Sequence, residues 1–271
     1  DYDNIPQDPL NPLTGAKVEV GKLIYHDPAF ATEGIALRAK TWSCASCHHA
    51  RAGFKSGMIQ GIGEGGEGFG LKGETRGWFD PEIGTQDADV QPVTSPTILN
   101  VAFQDVMLWN GQLGNASNGI INVGIDPEIL MTEGTPKVAN AEGLSGIETQ
   151  AIAGTGVHRI LGFPPELEDS DYYQMLLDAF PEYSRDELHK SSTRAIAAFE
   201  RTVLANQSPF QLWLRGDTDA MSEKEIAGAE VFFGDGGCVA CHQGAAFSSS
   251  VGATADQVFF AVGFADLDFN E

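Results

Sequence analysis

The 271 residues carry 38 acidic against 16 basic side chains, a formal net charge of −22. A chain this negative is a poor ligand for nucleic acid or anionic lipid, both of which attract a cationic face. Its 42% hydrophobic and 9% aromatic residues suffice for a buried core, while no apolar run approaches the roughly 20 residues that cross a bilayer.

The opening stretch, DYDNIPQDPLNPLTG, is polar and proline-rich. It is not an export signal, and any such signal is expected to be cleaved from the mature chain. Residues 14–25, TGAKVEVGKLIY, read as a short helix leading to the first cysteine pair. Residues 57–74 are so rich in glycine that they predict an irregular loop wrapped around something else. Ordered structure resumes at SPTILNVAF, residues 95–103, and a second polar loop spans residues 111–145. Ser184 with Glu187 makes a capping-box pattern, after which Ile196, Phe199 and Val203 share one helical face. Ser222 with Glu225 repeats the signature ahead of Ile226, Ala229 and Phe233. Between these helices SPFQLWLRGD reads as a linker, with a domain boundary near Asp217 and units of residues 1–217 and 218–271.

All four cysteines fall in two copies of one pattern: Cys44, Cys47 and His48 in CASCH, and Cys238, Cys241 and His242 in CVACH. A disulfide within Cys-x-x-Cys closes a strained ring typical of redox catalysts. A zinc ribbon also uses two such pairs, but has no need of a histidine directly after each. Covalent haem c accounts for every residue, because two thiols add to the porphyrin vinyl groups and the adjacent histidine ligates the iron. Two haems c are therefore expected, with His48 and His242 as iron ligands. Haem c is assembled outside the bacterial cytoplasmic membrane, which predicts a periplasmic or exported protein.

The segments GKLIYHDPAF…CASCHHARAGF and GAEVFFGDGGCVACHQGAAF share an order: a glycine-led amphipathic segment, the cysteine motif, then a small residue and phenylalanine. This is an internal repeat. The stretch from His48 to Trp109 is longer than that from His242 to Glu271, so the second module is expected to be incomplete at its C-terminus.

From about Gly21 onward the chain resembles the bacterial di-haem cytochrome c peroxidases and their relatives that oxidise protein side chains, such as the methylamine dehydrogenase maturation enzyme. The resemblance rests on GKLIYHDPAF, SPTILNVAF, LWNGQ, GIETQA, AIAAFERTVLANQSPF and GAEVFFGDGGCVACH. It implies a mainly α fold of two cytochrome c-like domains with long irregular loops, each domain holding one covalent haem c. The N-terminal haem would be peroxidatic and the C-terminal haem would relay electrons. LWNGQ is similar to the family's FWDGR, which makes Trp109 the tryptophan between the haems; a plain core tryptophan is the alternative. GIETQA is similar to LEEQA, which makes Gln150 the distal glutamine and Glu148 its structural neighbour.

Three departures from the family pattern matter. Where many members carry a histidine that blocks the resting iron, this chain has Glu64, a weaker ligand that leaves the sixth site open, or else a solvated loop charge. The family's catalytic glutamate falls at Ile160, so His158 and Arg159 are the candidate replacements. An imidazole at His158 would move the proton of bound peroxide, and the Arg159 guanidinium would stabilise charge as the O–O bond breaks. Finally, the spacing between Trp109 and Gln150 is expanded by an insertion over residues 113–146, a lid or a partner surface. A calcium ion is a further candidate cofactor, although Thr94 replaces its usual asparagine. Of the other histidines, His26 is expected near the first haem, His49 exposed and His189 on a charged helix face.

The expected activity is reduction of hydrogen peroxide to water with electrons from a small cytochrome c or copper protein. Oxidation of a partner protein's Trp or Tyr, or a purely electron-transferring subunit, are the alternatives. A homodimer or membership of a larger complex is compatible with either.

Overall fold

The computed structural model describes residues 2–32, 34, 39–68, 76–78, 87–91, 93–104, 106–108, 113–114, 144–160, 162–244 and 247. Trp109 and most of the predicted insertion lie outside these residues.

Thr14 starts helix α1 (Gly15–His26), its side-chain oxygen accepting from the Lys17 backbone N–H at 3.2 Å. The capping box at Ser184 and Glu187 forms as read, with the Ser184 N–H donating to the Glu187 carboxylate at 3.3 Å. It sits on one 3-10 turn, Arg185–Glu187, that runs directly into helix α4 (Leu188–Arg201). Helix α4 is the axis of the core: Ala195, Ala197 and Ala198 are fully buried along it. Helix α1 crosses α4 at Gly21, where a Cβ would lie 1.8 Å from the Ala195 carbonyl oxygen. Glycine is required there because two backbones touch.

Helices α2 (Gly146–Val157) and α3 (Asp171–Ala179) pack around this pair. Neither is predicted above as a helix: α2 holds glycines at 154 and 156, which lower its intrinsic preference. Packing supplies what propensity lacks, since Ile147, Ala151 and Leu176 are buried in the shared core with Tyr25, Phe30, Trp42 and Phe180. The N-terminal segment is stapled across the helices. Asp8 accepts from the Ser145 N–H at 2.5 Å and from its hydroxyl at 2.7 Å, at the start of α2. Two short antiparallel ladders complete the described residues: β1 (Gly66–Glu67) with β2 (Gly77–Trp78), and β3 (Val106–Met107) with β4 (Leu113–Gly114). The architecture is mainly helical, as the sequence implied.

The segment read as a linker contains a helix, α5 (Pro209–Leu214), capped by Ser208 and Gln211 with Pro209 in its first turn. Its rings face forward along the chain. Phe210 stacks on Phe233 of α6 (Glu223–Phe233) at 5.8 Å between centroids, and lies 5.7 Å from Phe247.

Candidate active site

The first cysteine motif forms one 3-10 turn, Cys44–Ser46, closed by the Cys47 N–H donating to the Cys44 carbonyl at 3.2 Å, to which the His48 N–H also donates at 3.0 Å. Both thiols line a cavity that is also lined by Trp42, His48, Asp89, Gln91, Gln150, His158 and Glu200. Burial raises both thiols to about 12, so Cys44 and Cys47 stay uncharged. Burial also brings His48 down to about 4, against the hydrogen bond to Phe54 that favours its charged form. The neutral ring donates from Nδ1 to the Phe54 carbonyl at 3.1 Å, which leaves Nε2 with a free lone pair. The Ser43 hydroxyl beside it is buried without a hydrogen-bond partner. Two free thiols, one imidazole with a bare nitrogen and an unsatisfied hydroxyl around one cavity fit a covalently attached porphyrin whose iron His48 ligates.

The second motif repeats the geometry. Cys238–Ala240 is again a 3-10 turn, and the His242 N–H donates to the Cys238 carbonyl at 2.9 Å. The Nδ1 of His242 donates to the Phe247 carbonyl at 3.2 Å. Phe54 and Phe247, the phenylalanines of the sequence repeat, adopt left-handed backbones with φ of 56° and 54°. A bulky side chain seldom tolerates that conformation. Here it turns a carbonyl towards the histidine in both copies, so the repeated phenylalanine marks the strut that orients each ligand. Cys238, Cys241 and His242 are exposed beside an apolar groove of Phe210, Phe232, Phe233 and Phe247.

The glycine loop does wrap something. At Gly61 a Cβ would lie 2.9 Å from the Cys47 sulfur, and at Gly63 one would lie 2.2 Å from the Asp89 carboxylate. The loop is held from inside by Arg76, almost fully buried, whose guanidinium donates to the carbonyls of Ile62 at 2.5 Å, Gly63 at 2.6 Å and Gly68 at 3.0 Å.

Of the predicted distal residues, the structure brings Gln150 and His158 into the cavity with His48. His158 caps the C-terminus of α2. The turn is a Schellman motif: the Ile160 N–H donates to the Thr155 carbonyl at 2.8 Å and the Arg159 N–H to Gly156 at 3.3 Å. Arg159 takes the left-handed position of this motif, φ 56°, where glycine is usual. The turn carries its guanidinium away from the cavity lining. It pairs with Glu64 and donates to the Asp87 carbonyl at 2.5 Å. Arg159 is thus paired with one oxygen of Glu64, whose Oε1 is buried without a hydrogen-bond partner. Glu64 is not a solvated loop charge, being fully buried. Nor is His49 exposed: its buried ring donates from Nε2 to the Ser46 carbonyl at 2.8 Å. His26 is exposed, tilted against Tyr25 and edge-on to Phe199, away from the cavity lining, and His189 is exposed as expected. Glu148 is structural, bound to Arg201 at 2.6 and 3.0 Å. The Thr94 hydroxyl donates to the Ile59 carbonyl at 2.7 Å, and no cluster of three His, Cys, Asp or Glu arranged for a metal occurs among the described residues.

Three contributors carry no sequence motif. Trp42 is buried in the cavity wall and donates from Nε1 to the His158 carbonyl at 2.8 Å. Asp89 and Gln91 approach the His158 ring itself, at 2.9 and 3.2 Å.

Residues 15–219 match the sequence model of the di-haem cytochrome c peroxidases. The chain belongs to this family. Among similar proteins of the family, cytochrome c peroxidase Ccp of Escherichia coli K12 is 27% identical over 247 residues, covering 90% of this chain and 41% of that protein. Cytochrome c551 peroxidase of Pseudomonas aeruginosa is 26% identical, covering 86% and 52%. The methylamine utilization protein MauG of Methylorubrum extorquens is 23% identical, covering 89% and 53%. This chain thus spans about half the length of these relatives. A solved MauG-like protein associated with microbial copper homeostasis shares the fold, with a TM-score of 0.57 at 21% identity over 94% of this chain and 59% of that one. Membership implies haem c as cofactor, and the cavity around Cys44, Cys47 and His48 suits it. No helix among the described residues is long and apolar enough to cross a membrane.

Proposed function

We propose that this chain is part of a periplasmic di-haem enzyme that reduces hydrogen peroxide to water, using electrons from a small cytochrome c or copper protein. The observation that carries this reading is His158: a distal imidazole in the cavity of the first haem motif, with a carboxylate behind it. Haem c bound at Cys44, Cys47 and His48, with a second at Cys238, Cys241 and His242, would supply the one-electron chemistry. The chain's own residues handle protons and water. His158 accepts the proton of entering peroxide at Nε2 and returns it to the departing oxygen. Gln150, on the same cavity wall, provides a neutral hydrogen-bond partner that positions the substrate. Ile98, Ala151, Ile160 and Ile196 give the cavity apolar walls that limit competing water. The packing of α5 on α6 favours a unit boundary before Ser208 rather than at Asp217.

A steady-state assay with a reduced cytochrome donor tests the proposal. Turnover well above free haem is expected, reduced about a hundredfold or more in His158→Ala. Turnover no greater than free haem rejects it.

The likeness to MauG along 89% of the chain favours a second reading, oxidation of a Trp or Tyr in a partner protein. Mass spectrometry of candidate partners after peroxide addition separates the two, because only this reading leaves a side chain with added oxygen or a cross-link.

A further inference from the structure

The His158 ring has two neighbours at one nitrogen, and they cannot both be satisfied. Nδ1 lies 2.9 Å from Oδ2 of Asp89, which only accepts, and 3.2 Å from Nε2 of Gln91, which only donates. If Nδ1 carries the proton it binds Asp89; if it is bare it binds Gln91. The first arrangement leaves Nε2 bare as a base, whereas the second places a proton on Nε2 and removes the base. A charge-assisted bond is about twice as strong as one between neutral groups, so the Asp89 arrangement prevails.

We propose that Asp89 is the positioning residue of the distal site, holding the Nδ1 proton of His158 so that Nε2 is a proton acceptor towards the cavity. This rests on the acid–base role given to His158 above. Three further features aim the carboxylate. Gly63 leaves room for it, since a Cβ there would lie 2.2 Å from the same Oδ2. The backbone of residue 89 is pinned to the glycine loop on both sides, its N–H donating to the Glu64 carbonyl at 3.1 Å and its carbonyl accepting from Gly63 at 2.8 Å. On the opposite side Trp42 fixes the backbone of His158 through its indole N–H. The glycine loop, the 87–91 segment and the end of α2 thus meet at one imidazole. Other titratable groups around this junction are Arg76 and Glu64 from the glycine-loop side, Arg159 on the same turn as His158, and Glu200 and His48 in the cavity wall.

The carboxylate selects the tautomer, which sets the maximal rate. In Asp89→Asn the rate with hydrogen peroxide, followed by the haem absorbance of the holoprotein, is expected to fall about 10- to 100-fold at its plateau. Asp89→Glu restores part of the plateau, and Gly63→Ala, which displaces Oδ2 without removing the charge, lowers the plateau in the same direction. The carbon monoxide stretch of the reduced protein, a probe of hydrogen donation from the distal imidazole, shifts in Asp89→Asn. A carbon monoxide stretch identical to wild type overturns the proposal, whatever the plateau. If Asp89→Asn does not fold, the plateau and stretch of Gly63→Ala decide. His158→Ala separates the two levels. A wild-type rate there overturns the acid–base reading itself, while a slow His158→Ala beside an unshifted Asp89→Asn overturns the role of Asp89 alone.

Discussion

Glu200 and Arg201 stand side by side on α4 and do opposite work. Arg201 is buried and binds Glu148 through two hydrogen bonds, while its Nη1 donates to the Pro6 carbonyl at 2.9 Å. Asn11 adds a bond to the same carboxylate at 3.2 Å. Replacing Arg201 with methionine leaves Glu148 charged, buried and uncompensated, a loss of about 3–5 kcal/mol in chemical denaturation. Glu200 faces the cavity. Burial, with Glu148 nearby and Arg201 opposing, pushes its carboxyl from an ordinary 4.5 up to about 8. The folded protein therefore binds a proton here that the unfolded chain releases, and stability falls as pH rises from about 4.5 to about 8. Glu200→Gln is expected to flatten that decline, by up to about 5 kcal/mol at the alkaline end. Denaturation profiles of the two proteins across this window check it, and parallel slopes would contradict the burial argument.

At the scale of elements, the crossing of α1 over α4 and the wrapping of the glycine loop depend on absent side chains. Gly21→Ala would drive a methyl group into the Ala195 carbonyl. Because both partners are backbone, neither can yield by changing rotamer, and the expected loss is at least about 2–3 kcal/mol. A melting temperature within a degree or two of wild type would show that the helices can part. At Gly61 the close neighbour is a side-chain atom, the Cys47 sulfur, 2.9 Å from where a Cβ would lie. Gly61→Ala is therefore expected to reduce thioether formation at the first motif while leaving the second intact, read as a fall in the mass of attached haem. The glycine stretch was legible as an irregular wrap because so much glycine forbids regular structure. What it wraps was not, since Asp89 and Arg76 carry no local pattern.

For the molecule as a whole, the charge of −22 is its most general property. A basic donor would be drawn to such a surface, and screening shortens that attraction as salt is added. The association rate with a basic cytochrome is expected to fall about tenfold or more between 10 mM and 500 mM salt. A flat dependence would mean that the donor binds through apolar contacts. Both halves carry the same strut, the first within a packed core and the second beside a cluster of phenylalanines.

Sequence alone determined the chemistry that is written in short spacing. Two thiols and a histidine must be adjacent to hold one porphyrin, so Cys-x-x-Cys-His is legible wherever it occurs, and both copies fold into the same turn with a trailing phenylalanine. The helix starts at Thr14, Ser184 and Ser222 were equally local, because a cap is made within one turn. Only the tertiary structure decided which side chains meet around His158. Glu64, Arg159, His158 and Asp89 come from three separate segments, and their partners are chosen by which backbone turns bring them together. Neighbours in sequence, His158 and Arg159 diverge because the left-handed residue between helix and loop sends one ring into the cavity and the other side chain to Glu64. Local pattern cannot encode that choice, because it depends on space that distant glycines leave free.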